Sequence, residues 1–541
     1  MNRMTSELPA FPVRSLADPL DEIARAQLCE LLPAHVATRR WFRAKTRTIQ
    51  KIDVEDVLQL PETHAHFLIL RIHYADGDRD RYILPVSVGP TAGEGEEVVA
   101  RLISDDSTEG VLYSALGDEA FRTALLKAIF CEHHFDGSGG QLRAARTSAL
   151  SEECGPSLPK LDSFVSRAEQ SNTSIIYRDR YILKLFRKLE PGINPDLEVG
   201  KFLTEHRFRN TPAVLGSLEY QPSHSDEKYA VGILQEFVPN QGDAWKYTLE
   251  ALADFFSKAL ASRRDPPPRK SEHPLDLIGG ETPSEVRTFI GPYLESAALL
   301  GKRTAEMHAV LADPQGGPDF APQPFTAQDS RKLHQDLTGQ ADFAFELLRR
   351  KQSALTGATA ERAGELLRME SRVAERFAAI ESHPVTADRI RHHGDYHLGQ
   401  VLYTGRDFMI IDFEGEPARP LAERRLKALA VRDVAGMIRS FQYAAFAALF
   451  GQVPGVPTEP EALCRVENWA AAWNAYVSST YLQAYFETAH NSTFVPAGWT
   501  ERRILLNAFL LQKALYEVAY ELNNRPDWLQ IPLRGIIGLV G

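Results

Sequence analysis

The sequence is poor in cysteine and has no pair of cysteines at a metal-binding spacing. It contains four in 541 residues, namely Cys29, Cys131, Cys154 and Cys464. No two form a C-x-x-C pair, so neither a zinc ribbon nor a redox dithiol is indicated. Scattered thiols are typical of a reducing compartment, and we expect free cysteines and a cytoplasmic protein.

Three further absences narrow the class of protein. The first residues lack the apolar core of a signal peptide, and no apolar run approaches the roughly 20 residues that span a bilayer. The net charge of −11 disfavours a general nucleic-acid binder, because such proteins neutralise phosphates with Lys and Arg. We therefore expect neither a membrane nor a nucleic-acid partner. The 44% hydrophobic and 25% charged composition is that of a globular enzyme with two to four compact units.

The most informative stretch is residues 391–417, RHHGDYHLGQVLYTGRDFMIIDFEGEP. Two short apolar runs within 400–411 flank a Gly-Arg-Asp turn, which predicts a β-hairpin. This hairpin would bring Asp395, Gln400 and Asp412 into one small volume. The alternative is a pair of polar turns beside buried strands.

The spacing within this stretch is that of a kinase catalytic loop, which reads H-x-D, then an amide five residues later, then a D-F pair. Phosphoryl transfer needs a carboxylate that orients and deprotonates the acceptor hydroxyl, and oxygen ligands for magnesium. We predict Asp395 as the catalytic base and Gln400 and Asp412 as Mg²⁺ ligands. Glu414, which points to the same side as Asp412, is expected to add a metal ligand or a sugar contact. His397 is expected to orient Asp395 or touch the substrate, the alternative being a loop-stabilising hydrogen bond.

A second pattern upstream predicts contacts to the phosphates of ATP. Lys184 shares a strand face with apolar neighbours and needs a partner, because an unpaired buried charge is costly. Asn194-Pro195 opens a helix that carries Glu198 one turn in. Lysine on a strand and glutamate on the next helix form the kinase pair that holds the phosphates. The alternative is a strand-end lysine directed to water.

Two further segments predict the rest of the nucleotide site. The polar loop before Lys184 contains Ser171, Asn172 and Thr173, and without glycine it would contact phosphates through backbone amides and hydroxyls. An ordinary polar turn is the alternative. The apolar strand that ends at Val238 stands where kinases place the hinge that binds adenine. We therefore predict Gln235, Glu236 and Val238 as adenine contacts.

Taken with residues 425–445, RLKALAVRDVAGMIRSFQYAA, the 391–417 stretch resembles bacterial maltokinases, especially the maltokinase domain fused to trehalose synthase. The resemblance covers nearly the whole chain, and the family shares Gln400 where most kinases carry Asn. It implies an α+β, bilobal protein-kinase-like fold of the aminoglycoside-phosphotransferase type, with ATP and Mg²⁺. It also implies maltose as acceptor, α-maltose 1-phosphate as product in trehalose and glycogen metabolism, and trehalose synthase as a fused or associated partner.

The last part of the chain carries a candidate sugar site. Tyr516 and Tyr520 lie one helical turn apart and share a face. Residues 513–526 resemble the C-terminal signature of maltokinases, which implies contacts to maltose, and Arg534 is a possible third contact. An amphipathic core helix is the alternative.

The domain organisation that we expect follows from these segments. It comprises a β-rich N-terminal cap with a linker (1–155), a kinase N-lobe (156–240), and a mostly helical C-lobe with the catalytic and sugar sites (241–541). Residues 137–140 are predicted to be a flexible tether and residues 155–159 a second boundary. The RRWFRAK segment from Arg39 is interpreted as an aromatic plug with a solvated basic rim rather than a polyanion site.

Two other functions stay open on sequence alone. One is a kinase of the same fold that acts on glucosamine, glucose or an aminoglycoside. The other is a non-catalytic sugar-sensing module of trehalose synthase. The joint presence of Lys184, Glu198, Asp395, Gln400 and Asp412 disfavours an inactive module.

Overall fold

The computed structural model describes residues 8–16, 19–93, 97–153, 161–166, 171–269, 271, 273–453 and 460–541. The chain divides into two compact units, Met1–Pro239 with Pro420–Ala422, and Asn240–Arg419 with Glu423–Gly541. Among the described cysteines Cys29, Cys131 and Cys464 are free thiols, while Cys154 lies outside the described residues. None of the helices in the described part of the chain is both long enough and apolar enough for a membrane crossing.

The first unit is β-rich. Its elements are β1 (Ala10–Val13), α1 (Glu22–Ala37), β2 (Ile49–Gln59), β3 (Ala65–Tyr74), β4 (Arg79–Gly89), β5 (Val98–Ser104), β6 (Glu109–Ser114), α2 (Glu119–Cys131), β7 (His134–Asp136), β8 (Gly140–Arg146), α3 (Ser148–Glu153), β9 (Ser163–Val165), β10 (Asn172–Tyr177), β11 (Tyr181–Phe186), β12 (Lys188–Leu189), α4 (Pro195–Glu205), β13 (Val214–Pro222) and β14 (Tyr229–Glu236).

These strands form two seven-stranded sheets. One has the order β1-β5-β6-β4-β3-β2 with β12 paired to β4, and the other has the order β7-β8-β13-β14-β11-β10-β9. Strand β3 is buried on both faces. Its Leu68 and Leu70 pack in a core with α1, while Phe67 and Ile69 pack in a core that includes strands of the second sheet. The cap sheet therefore shares a hydrophobic core with the sheet that carries Lys184.

The glycine-rich segment 137–140 is not a flexible tether, so that prediction is wrong. It is the tight turn of the β7–β8 hairpin, and the buried carboxylate of Asp56 accepts hydrogen bonds from Gly139 N at 2.9 Å and Ser138 Oγ at 3.3 Å. A Cβ atom at Gly137 would lie 2.3 Å from Asp56 Oδ1, which explains why glycine is required. The boundary predicted at 155–159 lies outside the described residues.

The aromatic segment of the cap is packed as expected. Trp41 and Phe42 are buried, and both rings contact Tyr82, with centroids 5.9 and 5.6 Å apart. The guanidinium of Arg187 lies 4.4 Å above the Trp41 ring. The interpretation as an aromatic plug is confirmed.

The rest of the chain is mostly helical. Its elements are α5 (Ala244–Ser262), α6 (Ser284–Ile290), α7 (Tyr293–Leu311), α8 (Gly317–Phe320), β15 (Gln323–Pro324), α9 (Ala327–Lys351), α10 (Gly357–Arg368), α11 (Glu370–Ser382), β16 (Asp388–Ile390), β17 (Val401–Tyr403), β18 (Phe408–Ile410), α12 (Leu421–Arg424), β19 (Ala428–Leu429), α13 (Val431–Ala447), α14 (Pro460–Thr488), α15 (Trp499–Asn524) and α16 (Gln530–Val540). The predicted α+β fold class is confirmed.

Helices α13 and α15 are the two elements of the second unit that position the site. The apolar side of α15, with Leu511, Leu515 and Val518, packs in a core with α9, α11 and α16. Its other side carries Lys513, Tyr516 and Tyr520 toward a cavity. Helix α15 is therefore both a core helix and a cavity wall.

Candidate active site

The hairpin predicted between residues 400 and 411 is present. Strands β17 and β18 pair in antiparallel register, Val401 with Ile410 and Tyr403 with Phe408. The pairing brings the two predicted metal ligands together, because Gln400 Nε2 donates a hydrogen bond to Asp412 Oδ2 at 2.9 Å.

The catalytic loop before this hairpin is fixed by a buried carboxylate. Asp433 of α13 accepts hydrogen bonds from the backbone amides of His393 at 2.7 Å and Gly394 at 3.0 Å. Burial alone would raise the pKa of Asp433, but its hydrogen bond with His308 and the surrounding histidines hold the pKa well below its usual value. The charged carboxylate therefore braces the loop that presents Asp395.

Two further residues of α13 hold the loop, and sequence reasoning missed both. A Cβ atom at Gly436 would lie 2.6 Å from the carbonyl oxygen of Tyr396, so only glycine allows the helix to approach. Ser440 Oγ accepts a hydrogen bond from Leu398 N at 3.1 Å. Residues 433, 436 and 440 lie on one helical face. The available signal was this D-x-x-G-x-x-x-S spacing directly after the kinase motif.

Asp395 forms an ion pair with Lys513, which lies 118 residues later in the sequence, on α15. Lys513 Nζ lies 3.1 Å from Asp395 Oδ1. Burial would lower the pKa of Lys513, but the carboxylates of Asp395 and Glu416 outweigh burial and raise it. Lys513 is thus a charged neighbour of the predicted base, and sequence reasoning did not select it.

His397 lies on the other side of the same carboxylate. Its Nε2 is 3.8 Å from Asp395 Oδ2, and its Nδ1 accepts a hydrogen bond from Gly399 N at 3.1 Å. Burial is the main cause that lowers the pKa of His397. A neutral ring with Nδ1 as acceptor carries its proton on Nε2, facing Asp395. The loop-stabilising hydrogen bond considered for His397 is present, and its role toward Asp395 or the substrate stays a prediction.

The residues predicted to hold Mg²⁺ supply hard oxygen donors. Carboxylate oxygens of Asp412 and Glu414 lie within 4.8 Å of one another. Asp412 has a φ of +66°, a strained conformation for a non-glycine residue that is characteristic of functional sites. Oxygen donors on two carboxylates and an amide fit Mg²⁺, which is bound in kinases by few protein ligands together with nucleotide phosphates. Asp412, Glu414 and the amide oxygen of Gln400 would hold the ion.

Lys184 has an acidic partner, and the geometry names one that the sequence pattern passed over. Its Nζ lies 3.1 Å from Asp196 Oδ2, with the Asp196 side chain 2% exposed. Asp196 and Glu198 both lie in the first turn of α4, which is capped by Asn194. Asp196 is therefore an ion-pair partner that the sequence did not single out, and the role of Glu198 stays a prediction.

The other predicted nucleotide residues lie at strand ends of the second sheet. Ser171 Oγ accepts a hydrogen bond from Arg43 Nη2 at 2.9 Å, and Asn172 and Thr173 begin β10. The predicted phosphate loop comprises residues 169–174, and its first two residues, 169 and 170, lie outside the described residues. Gln235 and Glu236 end β14, and Val238 follows it. Their contacts to ATP remain predictions.

A cavity of about 900 Å³ opens beside Asp395 within the second unit. Tyr516 and Tyr520, 42% and 45% exposed, present their rings to it as predicted. Arg525 lies 5.6 Å above the Tyr520 ring and 4.7 Å above the Trp528 ring. Exposed aromatic faces with convergent polar groups are the features of a small-molecule site. Trp528 and Arg525 are lining residues that the sequence alone did not select.

The structure does not bring Arg534 into this cavity, which corrects the expected third sugar contact. Arg534 lines a different cavity of about 110 Å³. There its guanidinium pairs with Glu467 and lies 5.7 Å from the Phe446 ring. The reason is helical phase, because α16 begins at Gln530 and carries Arg534 toward α14 instead of toward Tyr516.

Comparisons with known proteins show which proteins the chain resembles. Residues 35–118 match the family model of the maltokinase N-terminal cap domain. A glucosamine kinase of Mycolicibacterium smegmatis is 27% identical over 369 residues, which are 67% of this chain and 76% of that protein. A glucosamine kinase of Streptacidiphilus jiangxiensis is 28% identical over 236 residues, 44% of this chain and 47% of that protein.

The solved structures extend the likeness to the whole fold. A glucosamine kinase in complex with glucosamine, ADP and inorganic phosphate superposes with a TM-score of 0.59 at 20% identity, covering 95% of this chain and 99% of that one. A second crystal form of glucosamine kinase gives a TM-score of 0.60, covering 96% and 98%. The fold is thus that of glucosamine kinase. The chain is an ATP-dependent sugar kinase, and its residues 35–118 match the maltokinase N-terminal cap.

Proposed function

We propose that this kinase phosphorylates maltose at its anomeric hydroxyl, with Mg²⁺ and ATP, giving α-maltose 1-phosphate and ADP. Asp395 accepts the proton of the hydroxyl as the sugar oxygen bonds to the γ-phosphorus and the bond to the β-phosphate oxygen breaks. His397 orients the carboxylate. Lys184 holds the phosphates. Bound Mg²⁺ would neutralise charge on the transferring group.

One observation carries the choice of a neutral sugar over an amino sugar. Four of the five acidic side chains that line the cavity beside Asp395, the acceptor cavity, already have a cationic partner, and the fifth, Asp243, caps α5 by accepting a hydrogen bond from Lys246 N at 2.8 Å. Lys513 lies 3.1 Å from Asp395, and Arg525 lies 2.7 Å from Glu521. The remaining two pairs are Arg432 with Glu416, and Arg439 with Glu517.

A protonated amine is recognised by a carboxylate whose charge is otherwise unmatched, because burying a cation without a partner is costly. Pairs of this kind present forked donors and acceptors to hydroxyl groups instead. The pairing of charges therefore favours an uncharged sugar over glucosamine or an aminoglycoside.

Glucosamine is the second candidate, because the two curated relatives described above are glucosamine kinases. The test is ATP consumption with maltose, glucose, trehalose, glucosamine and kanamycin, with NMR of the product. We expect kcat/KM for maltose to exceed that for glucosamine by at least tenfold. Asp395→Asn is the control for contaminating kinases. A higher kcat/KM for glucosamine would transfer the assignment to that sugar.

The resemblance to fused maltokinase domains supports two further proposals. Trehalose synthase, as a fused or associated enzyme, would supply maltose, and both would act in the cytoplasm. Binding of maltose by calorimetry without ATP consumption on any acceptor would instead indicate a sugar-sensing module.

A further inference from the structure

A second cavity, of about 130 Å³, lies behind the catalytic loop in the second unit. Its wall includes His392 and Gly394 of the loop, Gly415 and Glu416 after the metal-binding segment, and Leu426 at the surface. The residues to which the kinase reaction has been assigned above do not line it. We refer to it as the rear cavity.

The rear cavity is positively charged. Its lining contains four basic side chains, Arg419, Arg424, Lys427 and Arg432, and only two acidic ones, Glu416 and Glu423. One carboxylate serves two of the arginines: Glu416 lies 2.7 Å from Arg419 and 3.1 Å from Arg432. The side chains that line the cavity thus include two more basic groups than acidic ones, and in a confined space such an excess attracts an anion.

His392 supplies the second observation. Its side chain is more than nine-tenths buried, and its Nε2 has no hydrogen-bond partner among the residues that the structure describes. The atom lies 3.8 Å from the position of a Cβ at Gly394, on the cavity wall. Buried polar atoms are almost always satisfied, so an orphaned one aimed at a cavity indicates an absent ligand or water. Burial lowers the pKa of His392 to about 4, so the ring is neutral and Nε2 can carry its proton as a donor.

We propose that the rear cavity binds a small oxyanion of the phosphate class. The positive lining supplies the charge, and His392 Nε2–H supplies a directed hydrogen bond. The volume corresponds to about four waters at roughly 30 Å³ each. It falls well below the roughly 300 Å³ of a pocket for a larger organic ligand. Sugar and nucleotide are therefore excluded as occupants of the rear cavity itself.

The test introduces a negative charge at the mouth of the rear cavity by substitution. Leu426 is 56% exposed, so Leu426→Glu places a carboxylate there without removing a core side chain, and Leu426→Gln is the neutral control of equal size. Phosphate binding is measured by calorimetry on the full chain with saturating Mg²⁺ and a non-hydrolysable ATP analogue, which occupies the nucleotide site. Ionic strength is matched with chloride.

We expect one phosphate per chain in wild type and Leu426→Gln, and at least tenfold weaker binding in Leu426→Glu. His392→Phe, which removes the donor, should also abolish binding while the melting temperature shows that it is folded. Equal affinity in the Glu and Gln variants, or no binding to the folded wild type, would overturn the proposal. Neither result bears on the acceptor, because turnover of maltose is measured separately in phosphate-free buffer.

Free phosphate and the phosphoryl group of a small metabolite share this chemistry. Glucose 1-phosphate in the same experiment tells them apart. Binding tighter than that of inorganic phosphate, still sensitive to Leu426→Glu, assigns the site to a phosphorylated metabolite whose sugar remains outside. Binding of inorganic phosphate alone assigns it to the free ion.

Discussion

Each of the two compact units contains one lysine–aspartate pair with Nζ and Oδ atoms 3.1 Å apart, and the two pairs differ in almost everything else. Lys184 and Asp196 are 12 residues apart and nearly buried, with side chains 12% and 2% exposed. Lys513 and Asp395 are 118 residues apart and more accessible, 25% and 21% exposed.

The difference in solvent exposure between the two pairs indicates that they have different roles. A buried pair holds its geometry because separating the charges leaves one of them unpaired in a medium of low polarity. The pair at Asp395 borders the acceptor cavity, where a hydroxyl must reach the carboxylate. We interpret the first pair as positioning phosphates and the second as positioning the base and the acceptor.

The largest effect is expected for Asp395→Asn. Turnover should fall by roughly 10²–10⁴-fold, the contribution of a positioned general base. The affinity for Mg·ATP should stay close to that of wild type, because Asp395 acts on the acceptor. Turnover is measured by ATP consumption, and the affinity for Mg·ATP is measured by calorimetry. A loss of turnover below tenfold would contradict the role of Asp395 as the base.

Breaking the buried pair should cost stability. Lys184→Met or Asp196→Leu alone should lower the free energy of unfolding by roughly 3–5 kcal/mol, because each removes one partner of a buried ion pair. The double variant should lose much less than the sum, and urea denaturation in EDTA measures all three. Simple additivity would show that the two side chains do not depend on each other.

The loop that presents Asp395 should carry a pH signature from His392. Its native pKa is about 4, mainly through burial, whereas the unfolded chain titrates near 6.5. The unfolded state therefore binds more protons in this window, and stability that is fully present above pH 6.5 falls by up to about 3 kcal/mol toward pH 4.

His392→Gln removes this titration, so the difference in unfolding free energy between variant and wild type should shrink in that window. Urea denaturation at several pH values in phosphate-free buffer measures it. Parallel curves for the two proteins would contradict the buried neutral ring.

A smaller effect on the KM for maltose should distinguish Tyr516, which lines the acceptor cavity, from Arg534, which does not. Tyr516→Ala should raise KM for maltose by roughly three- to tenfold, equivalent to about 0.5–1.5 kcal/mol for an aromatic contact, and leave KM for ATP unchanged. Arg534→Ala, the control, should leave both KM values unchanged because Arg534 lines another cavity. A rise in KM for maltose with Arg534→Ala would restore it to the sugar site.

The same contrast explains what could be predicted from the sequence. The hairpin around Gln400 and Asp412 and the strand–helix unit around Lys184 are local, so spacing and strand alternation sufficed to bring their residues together. Even there the pairing of Lys184 with Asp196 was not predicted, because spacing alone does not fix which acidic side chains of the first helical turn lie beside the lysine.

Long-range packing was the part that could not be predicted. The pairing of Lys513 with Asp395 depends on how α15 packs between its core and the acceptor cavity. The closed turn at 137–140 depends on Asp56, which comes from a strand some 80 residues earlier.

The central claim is that the Lys184 pair acts on the nucleotide and the Lys513 pair acts on the acceptor. The most direct test is to measure KM for Mg·ATP and KM for maltose in Lys184→Met and in Lys513→Met. A hydrogen bond to a charged group contributes about 1.5–3 kcal/mol, so each loss should raise one KM by at least about tenfold. We predict that Lys184→Met raises KM for Mg·ATP alone and that Lys513→Met raises KM for maltose alone. A rise of the same KM in both variants would contradict the assignment of the two pairs to different substrates.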